Sequence, residues 1–289
     1  MMRKSSVSMF AGIALLAAAA ASSAPAGWPE KLVLGTIPTE SSSNQTERFD
    51  DLVRYLSLKL GIPVELQTAS DYAGVITAMQ FKHVDIAYFG PKSYVEAAAR
   101  ANAECFVVEV GEDGSRGYHG IIISRKGSTL RDIAGAKGKV WAFTDPNSTS
   151  GTLVPTLYLV KTLKIDPQSY FGQVIYSGSH EASMLSVKAG KVDIASTNDL
   201  DMKRGEGKLW SKDDDFRILW TSPLIPGSPM AWRKDLPATL KKALRDAFVS
   251  FKDKDGLSKL KISGYAPVSD EVYDPIREQI EFKKSIDKK

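Results

Sequence analysis

Short apolar runs alternate along the chain with segments whose apolar residues recur every three to four positions. KLVLGTI (31–37) reads as a strand, and TERFDDLVRYLSLKLG follows it. In that second segment Phe49, Leu52, Val53, Leu56 and Leu60 fall on one face of a helix. Gly61 ends it and Pro63 bars its return. VELQT, DIAYF, CFVVEV and HGIIIS then read as strands, with YAGVITAMQF and SYVEAAARAN as helices between them. A second run repeats the scheme. KVWAF, QVIY, DIAS and FRILWTS are the strands, GTLVPTLYLVKTLK and EASMLSVKAG the helices. Pro155 is tolerated near the start of its helix. The C-terminal part, LPATLKKALRDAFVSF and VYDPIREQIEF, reads as mostly helical. Strands and helices in this order predict an α/β fold with largely parallel sheets.

The two runs carry an internal echo. DYAGVITAMQFKHVDIA (71–87) and SHEASMLSVKAGKVDIA (179–195) align without a gap, and both end in Val-Asp-Ile-Ala. Tyr72 and His180 stand at equal distances before Asp85 and Asp193, each at the start of a helix. Two related lobes follow, with one of these residues in each, placed to grip a small ligand. The chain crosses between lobes near HGIIIS and returns near ILWTSPLIPG, so two crossings form a hinge. The expected division is residues 27–121 for the first part of lobe one, 122–220 for lobe two, and 221–289 for the return to lobe one with the C-terminal helices. Ligand sites favour such domain interfaces, and hinge closure buries them.

The first 26 residues stand apart. Arg3 and Lys4 precede an apolar stretch from about Met9 to Ala21, and Ala24-Pro25-Ala26 fits a cleavage site before Gly27. This is the pattern of a secretory signal peptide, and the stretch is shorter than the roughly 20 residues of a membrane span. An exported, free protein is expected. Cys105 is the lone cysteine, so stability comes from packing without an internal disulfide. Removing Arg3 and Lys4 leaves 36 basic against 34 acidic residues, a near-neutral chain. It has no basic patch interleaved with aromatics, which argues against a nucleic-acid partner.

The candidate chemistry gathers in Asp145-Pro146-Asn147-Ser148-Thr149-Ser150-Gly151, between a strand and a helix. Such residues cap helix N-termini. The first N–H groups of a helix lack internal partners, and the macrodipole favours an anion there. Three consecutive hydroxyls before a glycine exceed what one cap needs, which favours a ligand with several oxygens. Gly151 is expected to let that ligand approach the backbone. A hydrolase is the rival reading, but no G-x-S-x-G elbow is present. HEASM lacks the second histidine of a metal-binding H-E-x-x-H, and no phosphate-binding glycine loop appears. Tyr118, at the first crossing, is flanked by glycines that can turn its ring into the cleft. His119 fits a structural role or a functional one, and His83 fits an exposed turn. Tyr88 and Trp141 read as core.

DYAGVITAMQFKHVDIAYFGP, DGSRGYHG, DPNSTSG, GSHEAS and SPLIPGSPMAWRKDL, in this order, resemble the periplasmic phosphonate-binding proteins of ABC transporters, whose relatives include phosphite binders. The resemblance runs from about Leu32 to Tyr273. It implies a two-lobed type II periplasmic binding fold of the Venus-flytrap kind, and a binding protein with no enzymatic activity and no cofactor. It implies a phosphoryl group held by Ser148, Thr149 and Ser150, with Tyr72, Tyr118 and His180 around it. Members that bind 2-aminoethylphosphonate hold its ammonium with a glutamate and an aspartate. The aspartate falls at Ser228 here, and the glutamate at Asn198 or Asp199. One carboxylate is therefore lost, which favours methylphosphonate or phosphite over an aminoalkyl ligand. The resemblance also implies a monomer that delivers its ligand to an inner-membrane permease. A phosphoester hydrolase and a sensor component are the alternatives.

Overall fold

The computed structural model describes residues 25–287. All but the last two residues of the expected signal peptide lie outside that range. Two sheets form, one per lobe. The first contains β1 (Leu32–Thr36), β2 (Val64–Thr68), β3 (Ile86–Tyr88) and β4 (Ala103–Val110). The second contains β5 (Gly117–Arg125), β6 (Val140–Phe143), β7 (Gln173–Tyr176), β8 (Ile194–Asn198) and β9 (Phe216–Pro226). The chain then returns to the first sheet with β10 (Pro229–Arg233) and β11 (Gly264–Pro267). The strand orders are β11-β4-β10-β3-β1-β2 and β7-β6-β8-β5-β9.

Each lobe is thus built round three parallel strands, β2-β1-β3 and β7-β6-β8. Beside each trio lies an antiparallel strand that has just crossed from the other lobe, β10 on β3 and β5 on β8. The sheets are therefore mixed rather than largely parallel. The expected limits at 121/122 and 220/221 fall inside β5 and β9, which both pair in the second sheet. We place the crossings at Gly111–Arg116 and Gly227–Ser228, between the last strand of one sheet and the first of the other.

The echo has a physical cause. Asp85 accepts from Val33 N at 2.9 Å, and Asp193 accepts from Val140 N at 2.9 Å. Each aspartate closes a side-chain bridge to the central strand of its parallel trio, β1 or β6, just before its own strand begins. Upstream, Asp71 caps helix Tyr72–Gln80 by accepting from Gly74 N, and Ser179 caps helix His180–Lys188 by accepting from Ala182 N. Alternation along β5 covers both faces of the second sheet: Ile121 and Ile123 pack with Met184 and Val187, while Ile122 packs with Trp141 and Phe143. This two-sided burial is why these strands read as unbroken apolar runs.

The helix after the polar stretch is π-helical over Thr149–Leu153 and Tyr158–Thr162, with an α-helical turn Val154–Leu157 between. Pro155 explains part of this. Its ring cannot bond to the carbonyl of Gly151, four residues back. That carbonyl instead accepts from Thr144 N at 3.2 Å. The C-terminal helix Asp274–Asp287 spans both lobes, with Ile276 and Ile280 buried against Leu153 and Leu157. No helix among the described residues is long and apolar enough to cross a membrane.

Candidate functional site

The lobes are closed on one another along the start of the helix that follows β6. Asp145, Asn147 and Thr149 of lobe two meet Tyr72 and Lys92 of lobe one. Tyr72 N donates to Asp145 Oδ2 at 3.4 Å, Lys92 Nζ to Asn147 Oδ1 at 2.9 Å, and Lys92 N to Thr149 Oγ1 at 2.8 Å. Further along the cleft, Glu181 N donates to Thr39 O at 3.1 Å and Asn44 Nδ2 to Glu181 Oε2 at 2.7 Å.

Behind these contacts lies a cavity of about 20 Å³. On a scale where one water needs about 10–15 Å³, it has room for little more than one small group. Tyr72, Tyr118, Ser148, Thr149, Ser150, His180 and Ser228 all line it. Larger depressions lie elsewhere, among them one of about 510 Å³ beside the C-terminal helix, but none collects these hydroxyls.

Each hydroxyl of the polar stretch accepts a protein N–H. Ser148 Oγ accepts from Gly151 N at 3.0 Å, Thr149 Oγ1 from Lys92 N, and Ser150 Oγ from Asn198 Nδ2 at 3.4 Å. A hydroxyl that accepts in this way keeps its own proton to give. Tyr72 adds a fourth hydroxyl, buried and with no hydrogen-bond partner among the described residues. Burial also pushes the Tyr72 and Tyr118 phenols upward, so both stay protonated donors at neutral pH. His180 is buried, and burial pulls its pKa below the ordinary value; Asp201 opposes this and Arg204 adds to it. The ring is neutral at pH 7. Its Nδ1 faces Thr197 Oγ1 at 3.1 Å, and its Nε2 faces Ser148 Oγ at 3.5 Å and Asp201 Oδ2 at 3.9 Å. In the tautomer that accepts the Thr197 hydroxyl at Nδ1, the ring proton is on Nε2 and points at the cavity.

Gly151 has another purpose than the expected one. A Cβ there would stand 2.2 Å from Thr144 Oγ1 and 2.4 Å from Thr144 Cβ. The missing side chain makes room for Thr144, which donates to Ser196 O behind His180, not for a ligand. Gly151→Ala is expected to destabilise the fold by about 1–3 kcal/mol, read as a lower denaturant midpoint.

Asp199 does not reach the cavity. It begins helix Asp199–Gly205, and its Oδ1 accepts from His119 N at 2.9 Å. Asp201, two residues on and so about 200° further round the helix, turns into the cleft instead. Asn198 also lines the cavity; it caps this helix and donates to Asp201 Oδ2 at 2.7 Å. Asp201 and Arg204 also line the cavity, two residues that no motif in the sequence marks. Arg204 Nη1 binds Asp201 Oδ1 at 2.9 Å, and Arg204 Nη2 lies 3.3 Å from Glu109 Oε2 of lobe one. Tyr88 is core, as read, but its ring also borders the cavity and its hydroxyl donates to Glu109 at 3.2 Å. His119 has a structural contact, its Nδ1 lying 2.8 Å from Ser222 O. His83 is exposed, and Cys105 is buried. The described residues hold no cluster of three or more acidic, histidine or cysteine side chains fit for a metal.

Residues 34–273 match the family described as ABC transporter, phosphonate, periplasmic substrate-binding protein. The chain belongs to this family. It is a periplasmic substrate-binding component of a phosphonate ABC transporter, not an enzyme. It is 36% identical over 260 residues to the phosphonates-binding periplasmic protein of Escherichia coli, covering 87% of this chain and 76% of that one. It is 31% identical over 298 residues to a phosphate-import protein of Mycolicibacterium smegmatis, covering 92% and 91%. Among solved structures, a binding protein component of an ABC phosphonate transporter from Pseudomonas aeruginosa superposes with a TM-score of 0.84 at 35% identity, covering 89% of this chain and 87% of the other. The two-lobed fold of this family is the one described above.

Proposed function

We propose that the protein captures a small phosphorus oxyanion in the closed cleft, methylphosphonate or phosphite in preference to an aminoalkylphosphonate. The carrying observation is that Ser148, Thr149 and Ser150 each accept a protein N–H while lining one cavity, which leaves three O–H donors for three anion oxygens. The Tyr72 hydroxyl and His180 Nε2–H complete the set. Similarity both to a phosphonates-binding protein and to a phosphate-import protein supports the phosphoryl group as the shared determinant.

The preference for a small substituent rests on what else lines the cavity. Leu200 and Ser228 bring no charge, and the one carboxylate, Asp201, is already paired with Arg204 and Asn198. An ammonium buried there meets no uncompensated negative charge, because Arg204 already balances that of Asp201, and a buried charge without a counter-charge is costly. The closed, loaded monomer would then dock on the permease of its transporter.

Calorimetric titration with methylphosphonate, phosphite, phosphate and 2-aminoethylphosphonate tests the reading. Methylphosphonate or phosphite is expected to bind at least about tenfold more tightly than the aminoalkyl ligand, a difference of about 1.4 kcal/mol. Ser228→Asp is expected to shift preference toward the aminoalkyl ligand. A wild-type preference for 2-aminoethylphosphonate would overturn the selectivity, and silence with all four would overturn the function.

A further inference from the structure

The cavity that would take an anion carries no net positive charge. Its charged side chains are Asp201 and Arg204, which are paired with each other. The rest are neutral hydroxyls, an amide, apolar groups and the neutral His180. Asp201 is only 6% exposed and stands on the side of the hydroxyl cluster. Its Oδ2 is 3.9 Å from His180 Nε2, and Asn198 Nδ2, which it accepts from, also reaches Ser150 Oγ. An ionised carboxylate has about four lone-pair sites. Arg204 and Asn198 take one on each oxygen, so acceptor capacity remains on Oδ2. A bare anionic oxygen beside it meets like charge where water cannot screen it. An oxygen that still carries a proton donates to it instead.

On the reading that the ligand is a phosphorus oxyanion, we propose that Asp201 determines which protonation state is bound. It accepts the hydrogen bond of a P–OH group, so the protein selects the monoprotonated anion. The same device rejects an anion of similar shape with no proton to give at neutral pH, such as an alkyl sulfonate.

The neighbours of Asp201 leave the ligand as the group that titrates between about pH 7 and 9. Arg204, on the same helix, is held in its charged form by Glu109 and Asp201 against the cost of burial. Burial would raise the Asp201 pKa, but Arg204, His180, Arg48 and Asn198 together hold it below the ordinary carboxylate range. Tyr72, Tyr88 and Tyr118, from helix Tyr72–Gln80, β3 and β5, are all pushed upward by burial. His180 is already neutral at the lower end of this window.

The bound state keeps a proton that the free ligand loses as pH rises. Affinity of the wild type for methylphosphonate is therefore expected to fall about tenfold per pH unit above the ligand's second ionisation. Calorimetry at about pH 9 in two buffers of different ionisation enthalpy should report uptake of close to one proton per ligand bound. In Asp201→Asn the slope and the uptake should disappear, and methanesulfonate should bind within about tenfold of methylphosphonate, whereas the wild type should reject it by about a hundredfold or more. Binding of methylphosphonate with no proton uptake and a flat profile would overturn the inference and leave the phosphorus-oxyanion reading standing. Proton uptake that persists in Asp201→Asn would overturn the role of this residue. No binding of methylphosphonate or phosphite at any pH would overturn both. Should the variant fail to fold, the wild-type proton count decides alone.

Discussion

Arg204→Met is expected to lower stability by about 3–5 kcal/mol, the range for a buried ion pair that loses one partner. Arg204, Asp201 and Glu109 have side chains only 7%, 8% and 5% exposed, so water cannot compensate a charge left alone. The substitution strands two carboxylates at once, Asp201 in lobe two and Glu109 in lobe one. It also cuts an ion pair that joins the lobes, so the closed arrangement suffers along with the fold. Glu109→Gln added to Arg204→Met should recover part of the loss, because one of the stranded charges is gone. Chemical denaturation of the two variants beside the wild type measures this. A single variant as stable as the wild type would mean that the guanidinium contributes nothing net at this interface.

The second large effect concerns binding. Ser148→Ala is expected to weaken affinity for the phosphorus oxyanion by about tenfold to a hundredfold, since a hydrogen bond to a charged group contributes about 1.5–3 kcal/mol. Ser148 Oγ also accepts from Gly151 N as the cap of its helix, so the variant should lose about 1 kcal/mol of stability and remain folded. His180→Ala should weaken binding in the same direction. Titration calorimetry with denaturation in parallel separates the two effects. Affinity unchanged in both variants would reduce Ser148 to a cap and His180 to a core residue.

Much of this architecture was legible in the sequence because it is local. The inner parallel strands β1, β3, β6 and β8 are buried on both faces and read as apolar runs, and the helices show their periodicity. The repeated Val-Asp-Ile-Ala marks a bridge made twice, by Asp85 and by Asp193. What the sequence hid depends on distant partners. Strand β10 (Pro229–Arg233) is short and opens on a proline, and it is a strand because β3 and β4 lie on either side of it. The π-helical turns at Thr149–Leu153 follow from Pro155 together with a Thr144 N–H that arrives from β6.

The hydroxyl cluster was legible for a similar reason, since Ser148, Thr149 and Ser150 are contiguous. The donor role of these hydroxyls was not, because it depends on N–H groups from Lys92 and Asn198, one in each lobe. The alignment offers Asn198 or Asp199 and does not point to Asp201, and helix geometry sends the carboxylates of Asp199 and Asp201 in nearly opposite directions. The spacing of Asp201 and Arg204, three apart on a helix face, was the available sign of a pair. Nothing local indicates that this pair would reach Glu109 across the cleft.

A crystal structure grown with methylphosphonate would show where the anion sits. One anion is expected between the lobes, its phosphoryl oxygens about 2.5–3.2 Å from the hydroxyls of Ser148, Thr149, Ser150 and Tyr72 and from His180 Nε2. An anion seated instead in the neighbouring cleft of about 280 Å³ beside Glu47 and Lys208, with the hydroxyl cluster untouched, would contradict it.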